Sequence, residues 1–168
     1  YEGYCLPGFS SIDAFDAFDV HQGGNSVIAI VDDAVKLTHE DIAPNVWVNP
    51  GEIPGNNTDD DGNGYTDDVN GWDVADYDND PNPPSSATNS VFSHGTHCAG
   101  IASAATDNSK GIASVGFNCK IMAVKASTSS GTAEYIDAGY DGIAYAMASG
   151  ADVISLSWGG GNYSQTAQ

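Results

Sequence analysis

Three apolar runs along the chain have the composition of buried strands. SVIAIV (residues 26–31) is continuous and rich in β-branched residues, as in a parallel strand that is covered on both faces. CKIMAVKA (119–126) predicts a second strand, and DVISLSWGGG (152–161) predicts a third that runs into a glycine turn.

Helical patterns lie before and between these runs. Residues 10–18 predict a short amphipathic helix that begins at a serine cap and turns Ile12, Phe15 and Phe18 inward. HGTHCAGIASAA (94–105) predicts a helix of small residues that packs closely. Residues 133–149 predict a third helix, whose inward positions recur at helical spacing: Ile136, Tyr140, Ile143 and Met147.

This alternation of strands and helices predicts an α/β fold with a largely parallel sheet. Residues 45–92 are dominated by Pro, Gly, Asn and Asp and predict a long loop region, which is usually functional or stabilised by an ion. Because ligands of parallel sheets collect at the carboxyl ends of the strands, Asp32 and Ser157–Gly159 are the first places to look for chemistry.

The net charge of the chain limits the classes of partner that it can bind. Four basic and 23 acidic side chains give a formal charge of −19, which argues against nucleic acid or an anionic membrane surface. The apolar runs are too short and interrupted for a membrane span. Because the acids are concentrated between Asp59 and Asp80, a local cation site explains the excess better than general salt adaptation.

The cysteines and the first residues say little about the compartment. Cys5, Cys98 and Cys119 form no CxxC pair, and their odd number leaves at least one free thiol unless a bridge reaches another chain. The opening YEGYCLPGF is no signal peptide and is compatible with a mature end left by processing of a precursor. The composition suits a secreted protein.

The most distinctive chemistry is in SHGTHCAG (93–100) and in VIAIVDDAV, which ends the first strand at Asp32. That carboxylate could orient an imidazole, bind a metal or cap a helix. His94 and His97 form a poor zinc signature, because no third acid or histidine stands near them in sequence and HExxH is absent. Cys98 is interpreted as a small buried apolar residue. A general base would need a partner acid and a nucleophile.

Taken together, VIAIVDDAVKLTHEDI and SHGTHCAGIASA resemble the Asp and His blocks of the subtilisin-like serine proteases, or subtilases. The resemblance continues through GIASVGFNCKIMAVKA and ADVISLSWGG and covers residues 23–160. It implies that residues 1–168 are the N-terminal part of one catalytic domain. That domain would have three layers, a mostly parallel sheet with helices on both faces, incomplete in this chain. It also implies polypeptide substrates and a secreted or cell-surface location.

The resemblance assigns roles to individual residues. Asp32 would hold the imidazole of His94, which would take a proton from a serine and return it to the leaving amine. His97 would be structural. The strand end that pairs with the substrate backbone and lines the primary pocket would be Ser157, Trp158 and Gly159, with Trp158 in place of the common leucine.

The chain also departs from the family. Asp33 and Ala34 stand where Ser or Thr and then Gly are usual, and the Cβ of Ala34 would strain a turn of positive φ. The nucleophile block Gly-Thr-Ser-Met-Ala does not occur, and SSGTAE (129–134) has its letters in the wrong order. We therefore expect a C-terminal chain of the same precursor, cut near residue 168 and still bound, to carry the catalytic serine. Half a parallel sheet alone would expose a strand edge.

An acidic insertion at about 50–90 contains TDDDGNGYTDDVNGWD, which resembles the calcium loop of EF-hands and dockerins. Asn70 holds the position of the usual bidentate Glu, so Asp68 would supply the last carboxylate. The predicted calcium ligands are Asp59, Asp61, Asn63, the carbonyl of Tyr65, and Asp68. By family resemblance Asp41 is a further calcium ligand. A solvated acidic loop is the alternative.

Two functions from different classes stay open. The first is a calcium-stabilised serine endopeptidase, and the second is a non-catalytic relative that binds peptides or partners through the same cleft. A zinc hydrolase built on His94 and His97 is a third.

Overall fold

The computed structural model describes residues 12–87, 91–130 and 135–159. They contain a four-stranded parallel sheet with the strand order β2-β3-β1-β4. The strands are β1 (Val27–Asp32), β2 (Gly71–Asp73), β3 (Lys120–Lys125) and β4 (Val153–Ser155). The helices are α1 (Ala14–Val20), α2 (His94–Ser103) and α3 (Gly139–Ala148), with a 3₁₀ turn at Ala43–Asn45.

Helices cover both faces of the sheet, since α2 and α3 each pack on β1 and β3. Val31 shares one core cluster with Tyr145 of α3, while its neighbour Ile30 shares a second cluster with Ala99 of α2. Successive residues of a strand point to opposite faces, so the continuous apolar sequence of β1 fills both layers of the core. The predicted three-layer α/β fold is confirmed.

Strand β2 lies inside the stretch that was predicted to be loop. It is three residues long and begins at Gly71, whose φ is 124°. It pairs with β3, with Gly71 opposite Ala123. The sequence of β2 shows no alternation of apolar and polar residues. Its extended conformation therefore depends on its pairing with β3.

Helix α3 turns a different face to the sheet from the one that periodicity predicted. Its buried residues are Gly139, Gly142, Tyr145 and Ala146, whereas Met147 is 69% exposed. A Cβ on Gly142 would lie 2.5 Å from Cγ1 of Val31, so the helix approaches the sheet through its small residues. The inward position predicted for Met147 is wrong for this reason. Residues 133 and 134 of the predicted helix lie outside the described residues.

Helix α1 is also less buried than expected. Ile12 and Phe15 are 57% and 52% exposed, and the buried residue is Ala14. Phe18 is half-buried, with its ring 5.1 Å from that of Phe117. The inward orientation predicted for Ile12 and Phe15 is wrong, because both side chains are more than half exposed while Ala14 between them is buried. The predicted serine cap lies outside the described residues.

Strand β3 ends at a buried lysine. Lys125 is 1% exposed, and its Nζ donates to Asp73, to Asp76 at 3.1 Å and to Ser129 Oγ at 3.0 Å. A buried ammonium group is tolerated only when it is paired and hydrogen-bonded. Lys125 therefore ties the end of β2 to the loop that follows β3.

Two further predictions concern membranes and cysteines. Within the described ranges, the structure contains no helix with the length and apolarity that crossing a bilayer requires. Cys98 and Cys119 are both free thiols. Cys5 lies outside the described residues.

Candidate active site

Asp32 and His94 meet at the carboxyl edge of the sheet. Asp32 is the last residue of β1, an inner strand, and His94 is the first residue of α2. Because β1 is covered on both faces, the carboxylate at its end is only 2% exposed. The expectation that ligands collect at the carboxyl ends of parallel strands had directed attention to Asp32, whereas His94 was singled out from the SHGTHCAG block.

The two side chains are in direct contact. His94 Nδ1 lies 2.8 Å from Asp32 Oδ1, and the same oxygen accepts the N–H of Asp33 at 2.7 Å. The side chain of His94 remains 56% exposed, so a reactant can reach the ring. A carboxylate on Nδ1 holds the proton there and leaves Nε2 as the basic nitrogen.

The electrostatics favour a proton on the imidazole. The hydrogen bond to Asp32 raises the pKa of His94 above its ordinary value of 6.5, and the charges of Asp32 and Asp33 add to this effect against the burial of the ring. Burial raises the pKa of Asp32, while the hydrogen bonds from His94 and from the N–H of Asp33 oppose that rise. This arrangement can accept a proton and stabilise the resulting imidazolium.

The potential ligands around His94 differ from the His94–His97 pair on which a zinc hydrolase would be built. Among the described residues, the potential metal ligands that cluster with His94 are Asp32 and Cys98, and His97 is not one of them. Cys98 Sγ lies 3.9 Å from each ring nitrogen and is half-buried. Burial raises the pKa of the Cys98 thiol, which opposes the thiolate needed for nucleophilic attack or metal binding.

The end of β4 lies next to this pair. Trp158 Nε1 donates to the carbonyl of Val31, the residue before Asp32, at 2.7 Å. Against the effect of burial, Ser157 lowers the pKa of the Cys98 thiol, one helical turn after His94. The strand end predicted to bind substrate is therefore tied to the end of β1 through Trp158.

The indole of Trp158 fills a specific recess. A Cβ on Gly139 would come within 2.5 Å of the indole ring, so glycine at that position makes room for tryptophan. The ring of Tyr140 stands edge-on to the indole at 6.1 Å. Gly159 is exposed, and a Cβ built there would meet nothing within 4 Å. The bulky indole of Trp158 thus lies beside an exposed stretch of backbone at Gly159.

Comparison with known proteins identifies the family. A family model described as the Subtilase family matches residues 23–168. The chain belongs to the subtilase family. The resemblance inferred from the Asp and His blocks is thereby confirmed.

Individual relatives agree with this assignment. The chain is 38% identical to thermitase of Thermoactinomyces vulgaris over 153 residues, which is 91% of this chain and 44% of thermitase. It is 36% identical to halolysin of Haloferax mediterranei over 149 residues, 88% of this chain and 24% of halolysin. It is 34% identical to the halolysin-like extracellular serine protease Nep of Natrialba magadii over 133 residues, 79% of this chain and 20% of Nep. The chain thus spans less than half of the length of each.

One departure from the usual subtilase sequence is explained by the backbone. Ala34 replaces a glycine, but it is not among the residues of positive φ, and its side chain is fully buried. The turn after Asp32 therefore accepts a Cβ without left-handed strain. The strain expected at Ala34 is thus absent.

The acidic insertion of this subtilase contains a compact carboxylate cluster. Carboxylate oxygens of Glu52, Asp61 and Asp68 lie within 4.8 Å of one another. Asp68 is fully buried, and it accepts hydrogen bonds from Asn49 at 2.9 Å, Asn63 at 3.1 Å and Tyr145 at 2.7 Å. Burial raises the pKa of Asp68 against these hydrogen bonds. We call Glu52, Asp61 and Asp68 the carboxylate cluster.

The other predicted ligands are placed differently. Asp59 accepts the backbone N–H groups of the turn that follows it, at 2.7–3.2 Å, and lies outside the carboxylate cluster. Asn63 donates to both Asp61 and Asp68. The ring of Tyr65 packs against Tyr145 at 4.8 Å. Asp41 is distant in sequence from this loop, and its carboxylate accepts from Asn108 at 2.8 Å and from the N–H of Ile112 at 2.9 Å.

Sequence reasoning missed Glu52. It precedes the twelve-residue calcium motif, so no position of that motif points to it. In the folded chain Glu52 is 8% exposed, and its carboxylate accepts the N–H of Asp60 at 2.9 Å and of Asp67 at 3.1 Å. The only hint in the sequence is that Glu52 lies between two Pro-Gly pairs, at 50–51 and 54–55.

Proposed function

We propose that this subtilase chain supplies the catalytic aspartate, Asp32, and the catalytic histidine, His94, of a serine endopeptidase. The observation that carries the proposal is the 2.8 Å contact between a buried Asp32 and an accessible His94 Nδ1 at the carboxyl edge of the sheet. Its relative Nep is named an extracellular serine protease. Residues 1–168 would then be the N-terminal part of one catalytic domain.

The proposed reaction follows from the orientation of the imidazole. Nε2 of His94 removes the proton of a serine hydroxyl as its oxygen attacks the peptide carbonyl, and Asp32 stabilises the imidazolium that forms. The imidazolium then protonates the leaving amine, and the acyl-enzyme is hydrolysed by water with His94 again as base. A C-terminal chain of the same precursor would supply the serine, which no block of this sequence contains.

The substrate would be an extended polypeptide. Ser157–Gly159 follow β4 after its last paired residue, and the backbone at Gly159 is open to a close approach. A peptide can add there as a strand through main-chain hydrogen bonds. Trp158 would form an apolar wall for one side chain of that peptide.

Calcium would stabilise the acidic insertion. Two of the three carboxylates in the carboxylate cluster are buried, and like charges this close repel unless a cation lies between them. Calcium prefers six to eight oxygens, and Asp61 and Asp68 of the predicted set, together with Glu52, offer several at one centre. Asp59, Asn63 and the Tyr65 carbonyl remain proposed ligands on the motif alone. Asp41 remains a separate calcium proposal on family resemblance.

The proposed location is outside the cell or at its surface. The net charge of −19 and the name of the relative Nep both support it. The same acidity supports the proposal that no nucleic acid is a partner.

A fluorophosphonate label tests the proposed activity. The full-length protein that carries this chain is treated with the reagent and analysed by intact mass under denaturing conditions. We expect one adduct on the polypeptide that carries the serine, whether that is a separate chain or the same one. No adduct and no hydrolysis would favour the non-catalytic peptide-binding alternative.

The pH dependence of kcat/KM tests the role of His94 independently. His94 must be neutral to accept a proton, and Asp32 raises its pKa, so activity should be lost as the pH falls through a value above 6.5. An acidic limb centred at or below that value would contradict the role assigned to the Asp32–His94 contact. Initial rates with a peptide substrate between pH 5 and 9 give the measurement.

A further inference from the structure

Helix α2 is capped by a residue from another part of the chain. Within the described residues, Ser93 at its N-cap forms no side-chain capping hydrogen bond. Instead Asp33 Oδ2 accepts the N–H of His94 at 3.1 Å, and Asp33 Oδ1 accepts the N–H of Gly95 at 2.7 Å. Oδ1 also accepts the N–H of Ala34 at 2.7 Å. Asp33 is 3% exposed, so its carboxylate is committed to these donors.

The helix is seated on the turn after β1 by close backbone contact. A Cβ on Gly95 would lie 2.5 Å from the carbonyl oxygen of Ala34 and 3.0 Å from Asp33 Oδ1. Only glycine permits this approach. His94 is consequently held at two points: its side chain by Asp32 and its main chain by Asp33.

We propose that Asp33 is a positioning residue for the general base, which holds the main chain of His94 in register with Asp32 and places a second negative charge beside the imidazole. The proposal rests on the proposed function, since a base needs positioning only if it reacts. A carboxylate at a helix N-terminus interacts favourably with the free N–H groups and with the helix dipole.

Two consequences distinguish this role from simple capping. Displacement of a catalytic group by about 1 Å can cost roughly 100-fold in rate, so a shift of His94 should lower kcat more than it changes KM. The charge of Asp33 is also one of the causes that raise the pKa of His94. The other titratable groups that face the ring are Asp32 from β1 and Cys98 from α2 itself.

The test compares Asp33→Asn and Asp33→Ala in the full-length protein with Asp16→Asn, which removes the same charge from an exposed position on α1. Asparagine keeps one oxygen that can accept the N–H of Gly95. It is uncharged, however, and its NH₂ group would face the N–H of His94. We expect kcat to fall about 10-fold for Asp33→Asn and about 100-fold for Asp33→Ala, with little change in KM. The acidic limb of the pH profile should move to lower pH in both, and not in Asp16→Asn.

NMR titration of the His94 imidazole gives a readout that does not require activity. We expect a lower pKa in Asp33→Asn than in the parent protein and in Asp16→Asn. An unchanged kcat and an unchanged His94 pKa in Asp33→Asn would overturn the proposal. So would a lower melting temperature with unchanged kcat, which is the result for a purely structural cap. If Asp33→Ala fails to fold, Asp33→Asn decides.

The outcomes also separate this proposal from the proposed function. If the parent protein forms no fluorophosphonate adduct, the endopeptidase assignment fails, whatever the titration shows. If the parent is labelled and Asp33→Asn behaves like Asp16→Asn in rate and titration, the endopeptidase assignment stands and the positioning role of Asp33 fails.

Discussion

Replacing His94 with alanine should lower kcat for peptide hydrolysis by about 10⁴-fold or more without unfolding the domain. The change removes the group that we propose accepts the serine proton and later donates it to the leaving amine. The side chain of His94 is 56% exposed, so little packing is lost. The main structural consequence is that Asp32 Oδ1 loses one of its two hydrogen-bond partners and keeps the N–H of Asp33, which should cost about 1–3 kcal/mol of the free energy of unfolding.

His97→Ala is the matched control for this experiment. His97 lies on the same helix three residues later, is exposed, and is absent from the cluster of potential ligands around His94. We expect its kcat to stay within a few-fold of the parent value. Steady-state rates and thermal melts of both variants give the comparison. Retained hydrolysis in His94→Ala would refute the assigned role, and an equal loss in His97→Ala together with bound zinc would favour the zinc hydrolase.

Removal of the proposed calcium ion should lower the free energy of unfolding by about 3–4 kcal/mol, the amount that a ligand present at 100 to 1,000 times its Kd contributes. For a domain of this size that corresponds to a fall in Tm of roughly 6–15 °C. The physical reason is that Glu52 and Asp68 are buried close to Asp61, so their charges repel once the cation is gone. Thermal melts in calcium and in chelator measure the difference. An unchanged melt would mean that the loop is merely solvated.

Substitution of one acidic residue at a time identifies which carboxylates bind the proposed calcium ion. Glu52→Gln should abolish most of the calcium-dependent shift in Tm, whereas Asp60→Asn, an exposed acid of the same loop outside the carboxylate cluster, should retain it. Asp59→Asn discriminates between the two ligand sets. If Asp59→Asn abolishes the shift and Glu52→Gln does not, the EF-hand-like set is correct and the carboxylate cluster is not the binding centre.

The local sequence was sufficient to predict the central strand β1 and the helix α2. SVIAIV specifies a strand because its β-branched residues are buried on both faces, and β1 occupies 27–32 as predicted to within one residue. The composition of HGTHCAGIASAA likewise predicted α2. Because strands of a parallel sheet end at one edge, β1 was enough to direct attention to Asp32. The pairing of His94 with Asp32 was predicted from the resemblance of the two blocks to the subtilases.

Other features depended on contacts between residues far apart in sequence, and local patterns could not contain them. Strand β2 exists because β3 offers it hydrogen bonds, and α3 turns Gly142 inward because Val31 leaves no room for a larger side chain. Glu52 joins Asp61 and Asp68 only after the loop closes. Asp33, which in sequence is a mere departure from the usual subtilase residue, caps α2 from 61 residues away. The sequence by itself determined the central strands, α2 and the two candidate catalytic residues. The tertiary structure decided which side chains hold those residues in place, because such contacts form only when distant segments pack together.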